Sequence, residues 1–413
     1  MTELDRIRWP ARIDVRWLWV AATAVFINTS YGTLSYAFSV FVTKDGPGGT
    51  FGEGVVSTGY ALAIVVSGIA GIFSGTVADL FGTRRVMAGG AFVGACGLVL
   101  LGVCHETWEF LLVMAVVLGP AMAATFYEPI YVLMNRWFLD FERPRAYGVL
   151  TLLSGVSITI FTPLTRGLIA AMGWREAMGV LAIILIAIGL VVPLLLTEPM
   201  APREQHHTAT PRSFLHEARD GLRHTDSVFW LFSAGYVAGT MAYSGFQFHI
   251  VAELEGRGFA SGAVAAAVGI AGLVSLPTRL LLPSLAGRVA SSLILGGCFC
   301  VLGVAAWLAS MADSWWQVWL FIALFGLVFG AISPLRGLAL SGRFAGPYFG
   351  RILAVQTLFV AVAYGLGPVI ISWIGTDRAA YAFGFRLAAV VLVGSGVLTW
   401  WSMHRRASRL VDG

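Results

Sequence analysis

Charged residues are scarce in this chain of 413 residues, of which 12% are charged and 58% are hydrophobic. Soluble domains are about 25% charged, so a soluble core of this size could not bury the apolar excess. Lysine occurs once, at Lys44, against 26 arginines, and these are dispersed along the chain rather than clustered. A lipid bilayer is therefore the expected solvent, and nucleic acid is not an expected partner.

Patterns for metal, nucleotide and hydrolytic chemistry are also missing. The four cysteines have no C-x-x-C spacing, which argues against a disulfide framework and against a zinc site. The chain has no H-E-x-x-H motif and no G-x-x-x-x-G-K loop, so hydrolysis and ATP-driven pumping are disfavoured. Methionine pairs with the spacing M-x-x-x-M, which would suit copper, do not occur. We therefore expect no cofactor, no metal and no enzymatic activity.

Long apolar runs dominate the chain instead. A helix needs about 20 apolar residues to cross a bilayer, and twelve runs meet this requirement. A polar segment at 198–226 separates six runs from six, which predicts an N-terminal bundle (1–197), a cytoplasmic linker (198–226) and a C-terminal bundle (227–413). The predicted spans are 16–43, 54–78, 86–104, 109–138, 146–171, 176–197, 227–252, 261–286, 290–312, 316–341, 349–372 and 381–404.

The distribution of basic residues predicts the orientation of these spans. Cytoplasmic segments of membrane proteins are enriched in lysine and arginine. With both termini in the cytoplasm, 19 basic residues lie in cytoplasmic segments, five in outer segments and three within spans. The sequence therefore predicts a multi-pass protein of the bacterial inner membrane with both ends in the cytoplasm.

The short connection between the second and third predicted spans reads GTVADLFGTRRV. Gly75 allows two helix ends to approach closely, Asp79 ends one span, and Gly82 permits the turn. Arg84 and Arg85 are suited to anchoring in the cytoplasmic headgroups. The pattern resembles the G-x-x-A-D-x-x-G-x-R-R loop of the major facilitator superfamily, in which it has a gating, conformational role. This resemblance implies an all-α integral membrane fold, a monomer and a small-molecule substrate bound between two parallel six-helix repeats.

Paired prolines support the two repeats. Pro129 and Pro334 are 205 residues apart in predicted spans four and ten, and Pro163 and Pro368 have the same separation in spans five and eleven. Prolines weaken a transmembrane helix locally, and neighbouring helices can tolerate this. Such positions are expected to allow bending during alternating access.

Ionisable residues away from the ends of the predicted spans are few, and the candidates are Glu128, Arg166, Arg279 and Arg336. Each costs about 2.5–3.5 kcal/mol on insertion scales, so such residues are functional candidates. Because these candidates include three arginines and only one glutamate, the empty cavity is expected to be electropositive. The substrate is therefore expected to be an anion. For Arg279 and Glu128, an ion pair that only fixes helix packing remains the alternative.

The positions of these residues within their spans predict different roles. Arg279, deep in span eight, is the first candidate for binding a carboxylate through two parallel hydrogen bonds. Arg336 is a second candidate, although it could also reach the cytoplasmic interface. Arg166 lies near the outer end, where a conformational role is expected. Burial favours the protonated form of a carboxyl group, so Glu128 is the expected proton-coupling residue.

Polar and aromatic side chains on other spans are expected to complete the substrate site, because apolar pockets with a few placed polar groups suit small organic ligands. Tyr127 and Tyr131 share a helix face, as do Tyr243 and Gln247. His249, near the outer end of its span, is expected to be solvated. The candidates are Asn28, Tyr31, Tyr127, Tyr131, Tyr243, Gln247 and Gln356.

Two further segments resemble the monocarboxylate-porter branch of the superfamily. Residues 14–19 (DVRWLW) are similar to its D-G-x-W-x-W opening, and residues 143–148 (RPRAYG) are similar to its R-x-R-A-x-G pattern. Arg279 stands where those porters carry an arginine, whereas Ser275 stands where they carry an aspartate. The resemblance implies a carboxylate substrate but leaves the proton site to Glu128.

These observations favour a secondary transporter that moves a small organic anion, most simply a carboxylate, with protons. The alternatives are a drug exporter and an importer of a vitamin-like heterocycle, each using the tyrosine-rich cavity. A membrane-embedded enzyme or receptor is disfavoured by the missing motifs.

Overall fold

The computed structural model describes residues 15–138, 142–196, 223, 225–285, 288–344, 349–375 and 378–404. Within its helices, side chains are described except at residues 72–76, 78–80, 128, 132, 135–136, 143–144, 280, 283–284, 341, 349–351, 354 and 378. Every regular element in these ranges is helical, in agreement with the predicted all-α fold.

The described part of the first half forms eleven α-helices and two π-helical segments, Gly32–Tyr36 and Val113–Leu118. The α-helices are α1 (Val15–Tyr31), α2 (Phe38–Phe41), α3 (Pro47–Phe51), α4 (Glu53–Phe81), α5 (Thr83–Val103), α6 (Thr107–Leu112), α7 (Gly119–Thr125), α8 (Tyr127–Trp137), α9 (Arg143–Ser154), α10 (Ser157–Met172) and α11 (Trp174–Leu195).

Seven helices make up the described part of the second half. They are α12 (Ser227–Gly256), α13 (Ser261–Leu285), α14 (Ser291–Ala309), α15 (Trp315–Phe329), α16 (Ile332–Phe344), α17 (Phe349–Ile374) and α18 (Arg378–His404).

Ten helical stretches among the described residues are long and apolar enough to cross a membrane. The first predicted span, where α1 runs into a π-helical segment, and α12 are not among these ten. Helix α12 has 30 residues and is therefore long enough to cross a membrane, so its composition is what sets it apart. Its polar side chains, including Tyr243, Gln247 and His249, lower its hydropathy, and they are tolerated because they are buried in the protein rather than exposed to lipid.

Two predicted spans are broken at equivalent positions of the two halves. Predicted span 109–138 breaks at Phe126, which has an extended ψ of −157°. Predicted span 316–341 breaks between α15 and α16. Pro129 and Pro334 are each the third residue of the helix that follows, where a missing backbone N–H leaves no helical hydrogen bond unmade.

Glycine forms two of the tight connections between antiparallel helices. Gly82, between α4 and α5, has a φ of +84°, and Gly173, between α10 and α11, has a φ of +87°. Residues with a Cβ rarely adopt this conformation, so glycine is needed at both turns.

Buried apolar side chains form two separate clusters. One draws on residues 20–196 together with Phe248, and the other draws on residues 229–392 together with Ile158. The halves meet mainly where α4 packs on α17 and where α10 packs on α13. The predicted linker 198–226 falls between the two clusters, and most of it lies outside the described residues.

Candidate functional site

A cavity of about 650 Å³ lies between the two halves. Its described lining residues belong to α1, the following π-helical segment, α4, the break at Phe126 and α8 of the first half, and to α12, α15, α16 and α17 of the second. Among these residues, one side chain, Arg336, is charged. The aromatic lining residues are Tyr31, Tyr60, Phe126, Tyr127, Tyr236, Tyr243, Phe329 and Tyr364.

Arg336 has few partners among the described residues. Its Nη2 donates a hydrogen bond of 3.3 Å to Thr357 Oγ1, and its guanidinium carbon lies 5.6 Å from the centre of the Tyr236 ring. Its Nε is buried without a hydrogen-bond partner, and none of the ion pairs among the described side chains includes Arg336. Guanidinium carries five N–H donors, so the described residues use only a small part of its capacity to bind an anion.

Arg279 instead links the two halves. Its Nη1 donates to the backbone oxygen of Thr151 at 3.2 Å, and its Nε donates to Ser275 Oγ at 3.2 Å. The side chain also hydrogen-bonds to Tyr36. Its guanidinium carbon lies 5.4 Å from the centre of the Phe329 ring, which lines the cavity. Arg279 itself is not among the lining residues.

Two glycines make room for Arg279. A Cβ at Gly330 would come within 2.6 Å of Arg279 Nε, and a Cβ at Gly155 would come within 2.8 Å of the same atom. Gly155 belongs to the first half and Gly330 to the second, so the guanidinium is held between the two halves.

Three predicted binding tyrosines line the cavity together. The Tyr31 ring stacks on Phe126 with a centroid distance of 3.9 Å and lies 5.3 Å from the Tyr127 ring. The Tyr127 hydroxyl forms a 2.6 Å hydrogen bond with Ser154 Oγ. Tyr243 faces them from the second half.

Three other predicted binding residues lie outside the lining. Tyr131 stacks behind Tyr127 at 5.5 Å. Asn28 Nδ2 donates to the backbone oxygen of Leu153 at 2.9 Å. Gln356 is fully buried, and its Nε2 donates to Ser233 Oγ at 3.1 Å.

Gln247 lies at a separate small cavity of about 10 Å³ that is also lined by Tyr36 and Phe325. Its Oε1 is buried and has no hydrogen-bond partner. A cavity of this size has room for about one water molecule, which would satisfy such an oxygen.

Arg166 joins the halves through an ion pair at the end of the bundle where α4 begins. Its Nη2 lies 2.7 Å from Asp45 Oδ2 in the same half, and its Nε lies 3.5 Å from Glu255 Oε1 in the other half. The Arg166 and Glu255 side chains are 9% and 16% exposed, whereas Asp45 is 63% exposed. The contact to Glu255 is therefore the less screened of the two.

Two hydrogen bonds connect the halves at the same end of the bundle. The Tyr381 hydroxyl donates to Glu53 Oε2, and Ser57 Oγ lies 3.3 Å from His249 Nε2. We call these two contacts and the Arg166–Glu255 pair the end latch. The prediction that His249 is solvated was wrong, because its side chain is fully buried. Glu53 and Glu255 were missed, although both lie at helix ends, since their partners come from the other half.

The loop between α4 and α5 contacts a different part of the first half. Arg84 Nε donates to the Pro193 backbone oxygen at 2.6 Å, and its Nη2 donates to the Leu194 oxygen at 2.9 Å. These bonds satisfy carbonyl groups at the C-terminal end of α11, where the helix dipole favours a positive charge. The Arg85 side chain is exposed.

Three predicted residues fall where side chains are not described. Gly75, Asp79 and Glu128 lie on helices, and the predicted roles of the three remain predictions. Among the described residues, no group of three or more His, Cys, Asp or Glu side chains could hold a metal ion. The described lining of the cavity places one cation, Arg336, among aromatic rings, and this arrangement suits an anion.

Comparisons with known proteins agree with this architecture. The sequence is 24% identical over 420 residues to the multidrug resistance protein MdtG of Citrobacter koseri, and the match covers 98% of each chain. It is also 25% identical over 400 residues to monocarboxylate transporter 3 of Rattus norvegicus, covering 93% of this chain and 79% of that protein.

Solved structures share the fold. The inward-facing, unoccupied form of a bacterial homologue of the human lysosomal transporter Spinster superposes with a TM-score of 0.72 at 14% identity, covering 95% of this chain and 98% of that one. The nucleoside transporter NupG gives a TM-score of 0.71 at 13% identity, covering 94% and 98%. The profile of the Major Facilitator Superfamily matches residues 14–309. The chain therefore belongs to the major facilitator superfamily of transporters and is a multi-pass protein of the bacterial inner membrane.

Proposed function

We propose that the protein is a secondary transporter that moves a small organic anion, a carboxylate, across the inner membrane by alternating access coupled to protons. The observation that carries this proposal is Arg336. It lines the cavity between the halves and has no ion pair among the described side chains. A charge inside a membrane protein is costly without a counter-charge. A substrate carboxylate would supply that counter-charge.

Arg279 is the second cationic group near the cavity. Its described partners are hydroxyl groups, a backbone oxygen and the Phe329 ring, and none of them is a carboxylate. Arg279 contacts Thr151 and Gly155 in the other half, so it would move when the two halves move. This movement would take place close to a substrate bound at Arg336. This arrangement favours Arg336 as the first contact for the anion.

The proposed topology has twelve spans with both termini in the cytoplasm and a cytoplasmic linker at 198–226. The arginine distribution and the two buried clusters support this topology. In this orientation the end latch joins the two halves at the outer side of the membrane.

Drug export is the second candidate function. The cavity volume of about 650 Å³ is larger than a very small acid requires, and its eight aromatic rings suit larger apolar molecules. Similarity to a multidrug resistance protein is compatible with this alternative.

Flux in proteoliposomes tests the proposed function. We expect a carboxylate to accumulate inside when an inward-directed proton gradient is imposed, and we expect no accumulation of a neutral amide of the same shape. Glu128→Gln mimics the protonated state, so it should retain exchange of substrate but lose gradient-driven accumulation. Accumulation by this variant would show that the proton is carried elsewhere. Transport of the amide at the rate of the acid would favour drug export.

The end latch predicts how the outer side opens. In a variant without Cys96, Cys104, Cys298 and Cys300, a cysteine at the buried position Ser39 reports outer access through its reaction with a membrane-impermeant maleimide. Glu255→Gln removes the pair between the halves, so we expect the reaction to become about tenfold faster, which corresponds to about 1.4 kcal/mol. Asp45→Asn is the matched control because it removes only the contact within one half. Equal rates in the two variants would contradict a latch role for Glu255.

A further inference from the structure

The aromatic side chains that line the cavity favour one kind of substrate, in addition to the preference for an anion that Arg336 gives. In the first half, Tyr31, Phe126 and Tyr127 form one continuous group of rings with centroid distances of 3.9 and 5.3 Å. In the second half, Tyr243 and Tyr364 lie 6.3 Å apart, and Phe329 lines the same cavity. A ligand between the halves is therefore flanked by aromatic rings on both sides.

Some of these rings present faces rather than free hydroxyl groups to a ligand. The Tyr127 hydroxyl is bonded to Ser154, and the Tyr60 hydroxyl is bonded to Ser35 at 2.8 Å. A sugar or polyol needs several hydrogen-bonding partners that are not already engaged. These walls fit a planar apolar group better, because aromatic rings gain from offset and edge-to-face contacts with one another.

Arg336 defines the polar end of the cavity. Its guanidinium lies beside the Tyr236 ring, and both residues line the cavity, so an anion bound there would be adjacent to an aromatic surface. Because Arg336 is the one charged side chain among the described lining residues, these walls provide for one carboxylate rather than two. The volume of about 650 Å³ accommodates a molecule with one or two rings.

We infer that the substrate is an aromatic monocarboxylate, with its carboxylate on Arg336 and its ring between the aromatic walls of the two halves. This inference rests on the proposed function, since it requires an organic anion as the substrate. It adds the requirement that the rest of that anion be a planar ring.

Binding of matched probes to the full-length purified protein tests the inference. Benzoate and cyclohexanecarboxylate have the same charge and the same number of carbon atoms, but only benzoate is aromatic. We expect benzoate to bind about tenfold more tightly by calorimetry, because ring pairing adds to the burial of apolar area. We expect 2-naphthoate to bind at least as tightly as benzoate, and we expect neutral benzamide to show no binding.

A variant pair locates the preference at the cavity wall. Tyr364→Leu should reduce the preference for benzoate over cyclohexanecarboxylate, while Tyr364→Phe should retain it. Phe383→Leu, at an exposed position on α18, is the matched control and should change neither affinity.

The outcomes separate the two proposals. Equal affinities of the wild-type protein for benzoate and cyclohexanecarboxylate would overturn the aromatic inference and leave the anion transporter intact. Binding of benzamide as tightly as benzoate would overturn the proposed function itself. The comparison of probes on the wild-type protein remains decisive even if Tyr364→Leu does not fold.

Discussion

Arg336→Lys is expected to weaken carboxylate binding at least a hundredfold, nearly as much as Arg336→Ala. A lysine ammonium is a point charge and does not reproduce the two parallel hydrogen bonds of a guanidinium. Loss of one partner from a buried charged contact typically costs about 3–5 kcal/mol, and tenfold in affinity corresponds to about 1.4 kcal/mol. Calorimetry with a carboxylate that the wild-type protein binds measures this loss.

Arg288→Lys is the matched control, because Arg288 is exposed and lies outside the cavity lining. It should bind the acid as the wild-type protein does. Normal binding by Arg336→Lys would mean that the cavity arginine does not hold the carboxylate. A neutral substrate would then be the better account of this site.

Gly367→Ala is expected to destabilise the protein strongly, although it adds a single methyl group. A Cβ at this position would lie 2.1 Å from the backbone oxygen of Met241 and 2.2 Å from Ser244 Oγ. Overpacking typically costs about 1–3 kcal/mol, and a clash with backbone on a facing helix belongs at the upper end. We expect a clearly lowered midpoint of thermal unfolding in detergent.

Gly394→Ala provides the comparison. A Cβ at Gly394, on α18, would meet nothing within 4 Å, and alanine has the higher helix propensity. This variant should unfold at the wild-type temperature or slightly above it. Equal midpoints for Gly367→Ala and Gly394→Ala would show that α12 and α17 separate without cost.

The family and the helical class could be predicted from the sequence because they depend on local properties. Apolar length marks a span, and the GTVADLFGTRRV loop is a contiguous pattern. The prolines marked both places as points of local weakening, but complete helix breaks before Pro129 and Pro334 were not predicted, since apolar composition continues through both of them. Breaks of this kind depend on backbone geometry that hydropathy does not record.

The candidate site was harder to predict because it depends on which residues meet across the halves. Arg279 and Arg336 both lie within predicted spans, but in the folded protein only Arg336 is among the described lining residues of the cavity. Likewise, Tyr381 reaches Glu53 across more than three hundred residues, and nothing near either residue in the sequence marks the other. Sequence position indicates depth in the membrane, whereas side-chain partners follow from tertiary structure.

The polarity of α12 has a consequence for biogenesis. This helix packs against α17 and α18, which the ribosome completes well after α12 has left it. Until then, the sides of α12 that pack on α17 and α18 lack their partners, and polar residues such as Tyr243, Gln247 and His249 make insertion of a single helix unfavourable. We therefore expect α12 to settle in the bilayer only late in synthesis, so chains truncated before α17 should be preferred substrates of membrane quality-control proteases.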